Sequence, residues 1–575
     1  MLMLMLAVIL YKSFRKKKRR RDIICSEGEG QQMISIKSKT RWEITKEFQN
    51  YLEKEIHGMF PNILNTFYFV PPVYFNRTQY KTQLAADEVI YVLDSHDPPD
   101  FRQDQALQHV FHCLRHMAEQ RQEQMFVLTQ FRYEDYLNSP DSKYNKHKLP
   151  VPADLKEADK RTKCFDLLIF HRSLGVLVVV VKPVSGDGHD DHQKLASLVE
   201  LELSEAIQQL NMANSILKHL MSDQDVHPII RHAVIMPNLE SSSLREAINT
   251  DSKVVKNLLR CLGATAEEKV EDLCLCAEHL SKPDTPWDVS SEVVSNMQRW
   301  FKKIMKIPVL DTSSYEKFYV SMIARFCGPA TKSSLKVPNA SAPFVLPKTL
   351  DEAVFLTGQM FERSVLSSDM AELLNSQRRF LYGPPNTGKT RMLTLIGKKC
   401  LSSGNDVLIV KDESSKSDSF LSEHLQALAA SNTKLPRSTF GSVYTETCDL
   451  KQKTAEIIDR IKSQEEKKVP LVLLDDVHLD EQNLKIVLEA LLKEFQGLWV
   501  TSISRHTCSE GLPESSLTCC LNCPPATLRV APLADRVYGK HTGSNEASQH
   551  FFPTDGPPVK YFYHRKQSHL GCRLQ

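Results

Sequence analysis

The residues best suited to chemistry form a glycine-containing segment, GPPNTGKT, at 383–390. A short strand-like stretch, 379–382, leads into it and a helical pattern, 390–400, leads out. This spacing fits G-x-x-x-x-G-K-[ST], in which backbone N–H groups at a helix N-terminus surround phosphate oxygens. The sequence therefore predicts a nucleotide phosphate site made of consecutive residues: Gly383, Pro384, Pro385, Asn386, Thr387, Gly388, Lys389 and Thr390.

Three side chains of this segment have distinct expected roles. Lys389 is expected to contact the β- and γ-phosphates of ATP, and Thr390 to offer its hydroxyl to Mg²⁺. Asn386 stands at a position where glycine is common, and asparagine tolerates a positive φ better than most residues. We therefore expect the loop to close around ATP and Mg²⁺ as cofactors.

An acidic pair, Asp475 and Asp476, follows the apolar run 471–474. We expect Asp475 to hold Mg²⁺ through water and Asp476 to polarise the attacking water, so Lys389 and Asp476 are the catalytic candidates. Asp476 is one methylene shorter than the glutamate that usually does this work. The same pattern also fits a buried parallel strand that simply ends in a polar loop.

Apolar strands alternate with helical patterns along most of the chain, which predicts an α/β protein with two α/β domains. Near the acidic pair, strands are expected at 407–410 and 498–501, and the polar Thr501 either senses a phosphate or closes its strand. Upstream, helices are expected at 102–120, 193–222 and 288–306, and strands at 165–170, 176–181 and 232–236.

Shifts in composition divide the chain. The expected divisions are a short apolar segment plus basic run, 1–21; a mixed N-terminal region, 22–97; an α/β domain, 98–328; a Ser/Pro/Lys-rich linker, 329–349; a nucleotide-binding domain, 350–505; and a Cys/Pro-rich tail, 506–575. A single C-x-x-C with no second pair at ligand spacing does not favour a closed zinc site.

The 575 residues carry a net charge of +3, but eight basic and no acidic residues fall within 1–21, so the rest is mildly acidic. This balance does not suggest a strongly basic nucleic-acid binder. The absence of any run of about 20 apolar residues excludes a polytopic membrane protein. The 14 cysteines are unevenly scattered, which favours a reducing, intracellular compartment.

The N-terminal segment MLMLMLAVILY precedes its basic run, the reverse of a signal peptide. It fits a signal anchor whose start is missing from this chain, or a tether to anionic lipid at the cytoplasmic face of a membrane. A nuclear-import patch and an ordinary basic tail remain alternatives.

The phosphate-loop motif and the acidic pair resemble the first RecA-like domain of superfamily 1 helicases. The segment VLSSDMAELL, 365–374, stands where that family reads adenine, with Met370 in place of a glutamine. LRVAPLADRV, 528–537, looks like the start of a second, incomplete RecA-like domain, because the chain stops at Gln575. The resemblance implies ATP binding with poor hydrolysis, no processive translocation, and single-stranded nucleic acid as a partner.

The segment FDLLIFHRSLGVLVVVVKP, 165–183, resembles the NERD branch of the PD-(D/E)XK nuclease fold. By that resemblance Asp166 and Lys182 match the first and last site positions, Asp104 an upstream carboxylate, and Val180 replaces the metal-binding glutamate. It implies a degenerate nuclease-like hairpin/helix fold that docks nucleic acid or a protein. A buried hairpin with one structural Asp and one Lys is the plainer interpretation.

Together these patterns predict an ATP-binding P-loop NTPase of helicase-like type with an inactive nuclease-like domain. The alternatives are a nucleotide-dependent signalling or scaffold switch without motor activity, and a fragment of a larger helicase-like protein. Stimulation of ATP turnover by single-stranded nucleic acid discriminates a motor from a switch.

Overall fold

The fold is mixed α/β, which confirms the predicted class, and is built around two six-stranded sheets. The computed structural model describes residues 40–77, 80–85, 88–93, 99–138, 149–155, 164–185, 192–226, 229–265, 267–306, 312–335, 344–361, 365–412, 420–431, 440–448, 450, 470–506, 511–517, 523–530 and 553–558. The predicted tether, 1–21, and most of the tail lie outside these residues. No helix among them is both long enough and apolar enough to cross a membrane.

The segment 41–345 contains most of the helices that the structure describes, and it is here called the first unit, apart from its strands 80–85 and 88–93, which pack in the second unit. Its elements are α1 (Arg41–Met59), β1 (Tyr68–Val70), β2 (Tyr80–Ala85), β3 (Glu88–Leu93), α2 (Pro99–Arg121), β4 (Met125–Arg132), β5 (Cys164–His171), β6 (Gly175–Val181), α3 (His192–Leu220), β7 (Ile230–Met236), α4 (Ser241–Ala247), α5 (Lys253–Leu262), α6 (Val270–Leu273), β8 (Leu275–Cys276), α7 (Ser291–Met305), α8 (Thr312–Cys327), β9 (Ser334–Leu335) and β10 (Phe344–Val345).

The sheet of the first unit has the strand order β1-β4-β5-β6-β7-β8. Strands β4, β5 and β6 form an antiparallel meander, whereas β6, β7 and β8 run parallel. Helices α2 and α3 both contact β6, and every residue of that strand is buried. Burial on both faces explains why GVLVVVV is a continuous apolar run rather than an alternating one.

The second unit contains the phosphate-loop segment. The elements from residue 350 onward are α9 (Leu350–Phe361), β11 (Val365–Leu366), α10 (Ser368–Leu373), β12 (Arg378–Tyr382), α11 (Lys389–Ser402), β13 (Val407–Asp412), α12 (Phe420–Ser431), β14 (Val443–Cys448), β15 (Leu471–Leu474), α13 (Glu481–Glu494), β16 (Gly497–Ser502), β17 (Glu514–Ser516) and α14 (Pro525–Val530). Two of these helices contact the first unit instead: the buried residues of α9 pack in its apolar core, and Arg529 of α14 lies over the Trp287 ring.

The sheet of the second unit is wholly parallel, in the order β14-β13-β15-β16-β12-β17. Alternate residues of β15 enter different cores: Leu471 and Leu473 pack on the face covered by α11 and α12, and Val472 and Leu474 on the face covered by α13. The result is a three-layer arrangement. The sheet extends past the predicted boundary at 505, because β17 is its edge strand.

A hairpin from the predicted N-terminal region completes the second unit. Strands β2 and β3 pair antiparallel, and β3 pairs in parallel with β11. Ile90 and Val92 join the apolar core beneath α11. Glu88 forms ion pairs with Arg391 and Lys398, both on the helix that follows the phosphate loop. Region 22–97 is therefore shared between the units, since α1 packs against α8 and β1 joins the first sheet.

The predicted linker, 329–349, is packed at both described ends. Strands β9 and β10 pair antiparallel, and the residues between them, 336–343, are not among those described. Thr331 and Leu346 are buried, and the Nζ atom of Lys348 donates to the carbonyl oxygens of Gly328 and Thr331. These contacts attach the ends of the segment to the first unit.

Candidate functional site

The phosphate-loop segment, 383–390, connects the carboxyl end of β12 to the first residue of α11. Three of its residues have positive φ angles: 154° at Gly383, 63° at Asn386 and 90° at Gly388. The loop also passes close to other backbone, because a Cβ at Gly383 would lie 2.1 Å from the carbonyl oxygen of Leu517. Glycine at 383 allows both the positive φ and the close backbone contact, and asparagine at 386 tolerates its left-handed φ.

Hydrogen bonds inside the loop fix its lysine. Lys389 is buried, and its Nζ atom donates to the carbonyl oxygens of Gly383 and Pro384 at 2.6 and 2.8 Å. The Thr387 hydroxyl donates to the same Pro384 oxygen at 2.8 Å. The ammonium group therefore lies within the loop, at the N-terminus of α11, where the helix dipole also favours an anion.

Hydroxyl groups from two other elements hold the carboxylate of Asp475. Thr390, on α11, donates to Oδ2 at 2.8 Å, and Thr501, on β16, donates to Oδ1 at 2.7 Å. The backbone N–H of Asp476 donates to the Thr501 hydroxyl at 2.8 Å. Because β16 lies between β12 and β15, Thr501 stands at the carboxyl edge of the sheet between the phosphate loop and the acidic pair, and the Thr390–Asp475 bond joins the two.

The electrostatics of this cluster favour a cation. Burial raises the pKa of Asp475, and hydrogen bonds from Thr501 and Thr390 offset part of that rise. The neighbouring Asp476 carboxylate raises the pKa further. A hydroxyl oxygen beside a carboxylate is a hard oxygen donor set, the kind that Mg²⁺ takes when phosphate and water complete its shell.

The second acid of the pair is held in an unusual backbone conformation. Asp476 has a φ of 54°, and its Oδ2 lies 3.3 Å from Nε2 of His478. His478 is about half exposed, so this contact is at the surface. This pairing could not be predicted from the sequence, because a histidine two residues beyond an acid is not part of the motif.

The expected adenine-reading segment lies beside the loop. Helix α10 begins at its N-cap Ser367, whose hydroxyl accepts a hydrogen bond from the Met370 backbone N–H at 3.2 Å. Met370 is buried, and its Cε atom would lie 3.1 Å from a Cβ placed on Gly388. The Met370 side chain thus packs on the phosphate loop itself.

In the first unit, the Asp104 carboxylate is already paired with the positively charged side chain of Arg77. Its oxygens accept hydrogen bonds from the Tyr74 hydroxyl at 2.9 Å and from the backbone N–H and Nε of Arg77 at 2.5 and 2.8 Å. Burial still raises the pKa of Asp104, although Arg77 opposes the rise. Tyr74 and Arg77 lie outside any motif, so sequence analysis missed them.

The other two expected nuclease positions also have protein partners. Asp166 accepts a hydrogen bond from the Val181 N–H at 3.0 Å, and burial raises its pKa while Lys182 and then Arg77 lower it. Lys182 is buried and pairs with Glu202 at 2.9 Å and Glu205 at 3.1 Å. The two glutamates lie three residues apart on one face of α3, a spacing visible in the sequence but missed. Val180, at the third carboxylate position, is buried in the apolar core.

Within the described residues, no group of three or more His, Cys, Asp or Glu side chains could hold a metal ion on its own. Any Mg²⁺ at Asp475 would therefore need oxygens from a nucleotide and water. Of the lone C-x-x-C pair, Cys520 lies outside the described residues, and Cys523 is a free thiol whose pKa is raised by burial.

Comparison with known proteins adds little. No protein-family model matches the chain, and no curated protein matches it. One similar solved structure is the cytoplasmic domain of the Thermomonospora curvata type VII secretion ATPase EccC, with 12% identity and a TM-score of 0.17. The match covers 62% of this chain and 44% of that one, so this chain spans less than half of that structure. A likeness at this TM-score does not support a function for this chain.

Proposed function

We propose that this chain is a P-loop NTPase of helicase-like type that binds Mg²⁺–ATP at residues 383–390. The observation that supports the proposal best is the bond between the Thr390 hydroxyl and the Asp475 carboxylate, which joins the phosphate loop to the acidic strand end. Crevices at the carboxyl ends of parallel strands are the usual ligand sites of α/β sheets.

Each residue of the cluster has a role that its position suits. The backbone N–H groups of the loop and the Lys389 ammonium bind phosphate oxygens. Thr390 and Asp475 hold the metal, which when bound neutralises charge on the phosphates. Thr501 orients the Asp475 carboxylate, and Asp476 is the base that positions water. Glycine at 383 and 388 keeps the loop backbone accessible to the ligand.

The first unit serves as a docking module for nucleic acid or a protein in this proposal, without cutting phosphodiester bonds. Metal-dependent cleavage needs free carboxylates around a divalent ion. The Asp104 carboxylate is instead bound by Arg77, and valine at 180 removes another ligand. Lys182 is paired with two glutamates, so its charge is already compensated.

The test is Mg²⁺-dependent ATP binding and turnover by the purified chain, compared with Lys389→Ala and, as control, Lys398→Ala. Both lysines lie on α11, but Lys398 pairs with Glu88 and is not part of the loop. We expect binding that needs Mg²⁺, is lost in Lys389→Ala and is retained in Lys398→Ala. Binding that survives Lys389→Ala would refute the proposed site.

A second candidate is a nucleotide-dependent switch without motor activity. The observation that favours it is the contact between Asp476 and His478, which engages the carboxylate expected to activate water. Adding single-stranded DNA to the turnover assay separates the two. A motor's turnover rises with DNA, whereas a switch binds nucleotide and shows no stimulation. Removing the contact with His478→Ala would raise turnover if it restrains Asp476.

A further inference from the structure

A cleft of about 590 Å³ in the first unit has the properties of a second ligand site. It opens between the end of α3, the start of β7 and the end of α5. Three of its lining residues are basic: Lys218 on α3, and Arg231 and His232 on β7. Met221, Ile230 and Leu262 add apolar side chains, and Asn214 and Ser222 add uncharged polar ones.

Two residues that line this cleft each have a buried nitrogen atom without a hydrogen-bond partner among the described residues: Nε of Arg231 and Nε2 of His232. His232 is only 9% exposed, and its Nδ1 donates to the Cys261 carbonyl oxygen at 2.8 Å. That bond fixes the ring and leaves Nε2 unused. Buried polar atoms without partners are uncommon in folded proteins, so both residues have hydrogen-bonding capacity that no described residue uses.

The charges around these atoms all have the same sign. Burial lowers the pKa of His232, and the nearby Lys218 and Arg231 lower it further. No carboxylate is among the described residues that line the cleft. Like charges held together destabilise a fold unless an anion neutralises them.

Capping of α5 does not explain Arg231. The helix ends at Leu262, and the N–H of its C-cap, Gly263, donates to the carbonyl oxygens of Leu259 and Arg260, while the Cys261 carbonyl accepts from His232. The carbonyl oxygens of Leu259, Arg260 and Cys261 therefore already have donors, and none of these bonds uses Arg231.

We propose that this cleft binds a small organic molecule that carries a phosphate group. The Arg231 guanidinium offers a planar fork that suits two phosphate oxygens, and Lys218 adds a second positive charge. His232, once protonated next to the anion, donates from Nε2. The cleft lies in the size range of small-molecule sites, and Met221, Ile230 and Leu262 contact the apolar part of the ligand. The site is independent of the phosphate loop.

The experiment titrates phenyl phosphate and inorganic phosphate into the full-length chain by calorimetry. The chain carries Lys389→Ala, so that the phosphate loop does not contribute. We expect phenyl phosphate to bind more tightly than inorganic phosphate, and Arg231→Gln to weaken it at least about tenfold, the effect of losing a charged hydrogen bond. The matched control is Arg260→Gln, an exposed arginine on α5 that does not line the cleft.

Thermal melting separates a binding role from a structural one. Arg231→Gln should melt at the same temperature or higher, because it relieves repulsion with Lys218 and breaks none of the bonds described above. If Arg231→Gln fails to fold, the exposed Lys218→Gln replaces it, with the same expected loss of binding. Absence of binding, equal affinity for the two phosphates, or equal effects of the cleft and control variants would each overturn the proposal.

Discussion

Replacing Thr501 with valine tests whether this hydroxyl holds the acidic pair in place. The side chain is fully buried, donates to Oδ1 of Asp475 at 2.7 Å and accepts from the Asp476 N–H at 2.8 Å. Valine has nearly the same shape but no hydroxyl, so Thr501→Val removes both bonds without opening a cavity.

The expected loss of stability follows from the two bonds. A bond between neutral groups contributes about 1 kcal/mol, and one to a charged group about 1.5 to 3 kcal/mol. Thr501→Val should therefore destabilise the second unit by about 2 to 4 kcal/mol. Asp475 also loses its strongest donor, so its pKa rises further and its affinity for Mg²⁺ at neutral pH falls.

The assay is hydrogen exchange of peptides from β15 and β16 across a urea series, which reports local rather than whole-chain stability. The matched control is Thr394→Val, because the buried Thr394 hydroxyl makes one bond, to the Thr390 carbonyl oxygen at 2.8 Å. That variant should lose only about 1 kcal/mol. If Thr501→Val loses no more than the control, the role given to Thr501 is wrong.

Three further substitutions test the site and its surroundings. Asp475→Asn should abolish Mg²⁺-dependent nucleotide binding. Because burial raises the pKa of Asp475, the native carboxyl stabilises the fold at low pH, and this stabilisation is lost as pH rises through the raised pKa. The asparagine variant has no such loss, so its melting temperature relative to that of the native chain should rise with pH. Arg77→Gln should destabilise the first unit by about 2 kcal/mol, which is less than for a fully buried ion pair because the Arg77 side chain is partly exposed. In urea unfolding, adding Asp104→Asn should restore most of the lost stability. Gly383→Ala should abolish ATP binding in calorimetry, because the added Cβ would collide with the Leu517 carbonyl oxygen. The control Gly358→Ala should leave binding unchanged, because its Cβ would meet no other atom within 4 Å.

Local patterns in the sequence predicted the elements around the site well. The apolar runs before the phosphate loop and the acidic pair are strands β12 and β15, and the pattern after the loop is helix α11. Such signals depend on residues that are neighbours in the chain, so periodicity and motif spacing reveal them. The chemical roles given to Lys389 and Asp475 stay predictions.

Partnerships between distant segments could not be predicted in this way. Arg77 binds Asp104 from a loop with no motif, and Glu88 reaches α11 from a hairpin more than 300 residues away in the chain. Neither carries a local pattern, because an ion pair depends on which surfaces the fold brings together. The pairing of Lys182 with α3 could be predicted only in part. The spacing of Glu202 and Glu205 indicates that they share one face of the helix, but not that Lys182 lies against that face.

The sequence by itself therefore determined the α/β class, the positions of the two strand ends and the residue types that could bind phosphate and metal. The tertiary structure decided that β16 lies between those strands, which puts Thr501 in contact with Asp475. It also decided that Arg77 neutralises Asp104, and that the basic residues of the cleft lie together with no carboxylate among its described lining residues. Strand order and helix packing bring these groups within a few ångströms, and neither is encoded by the spacing of residues along the chain.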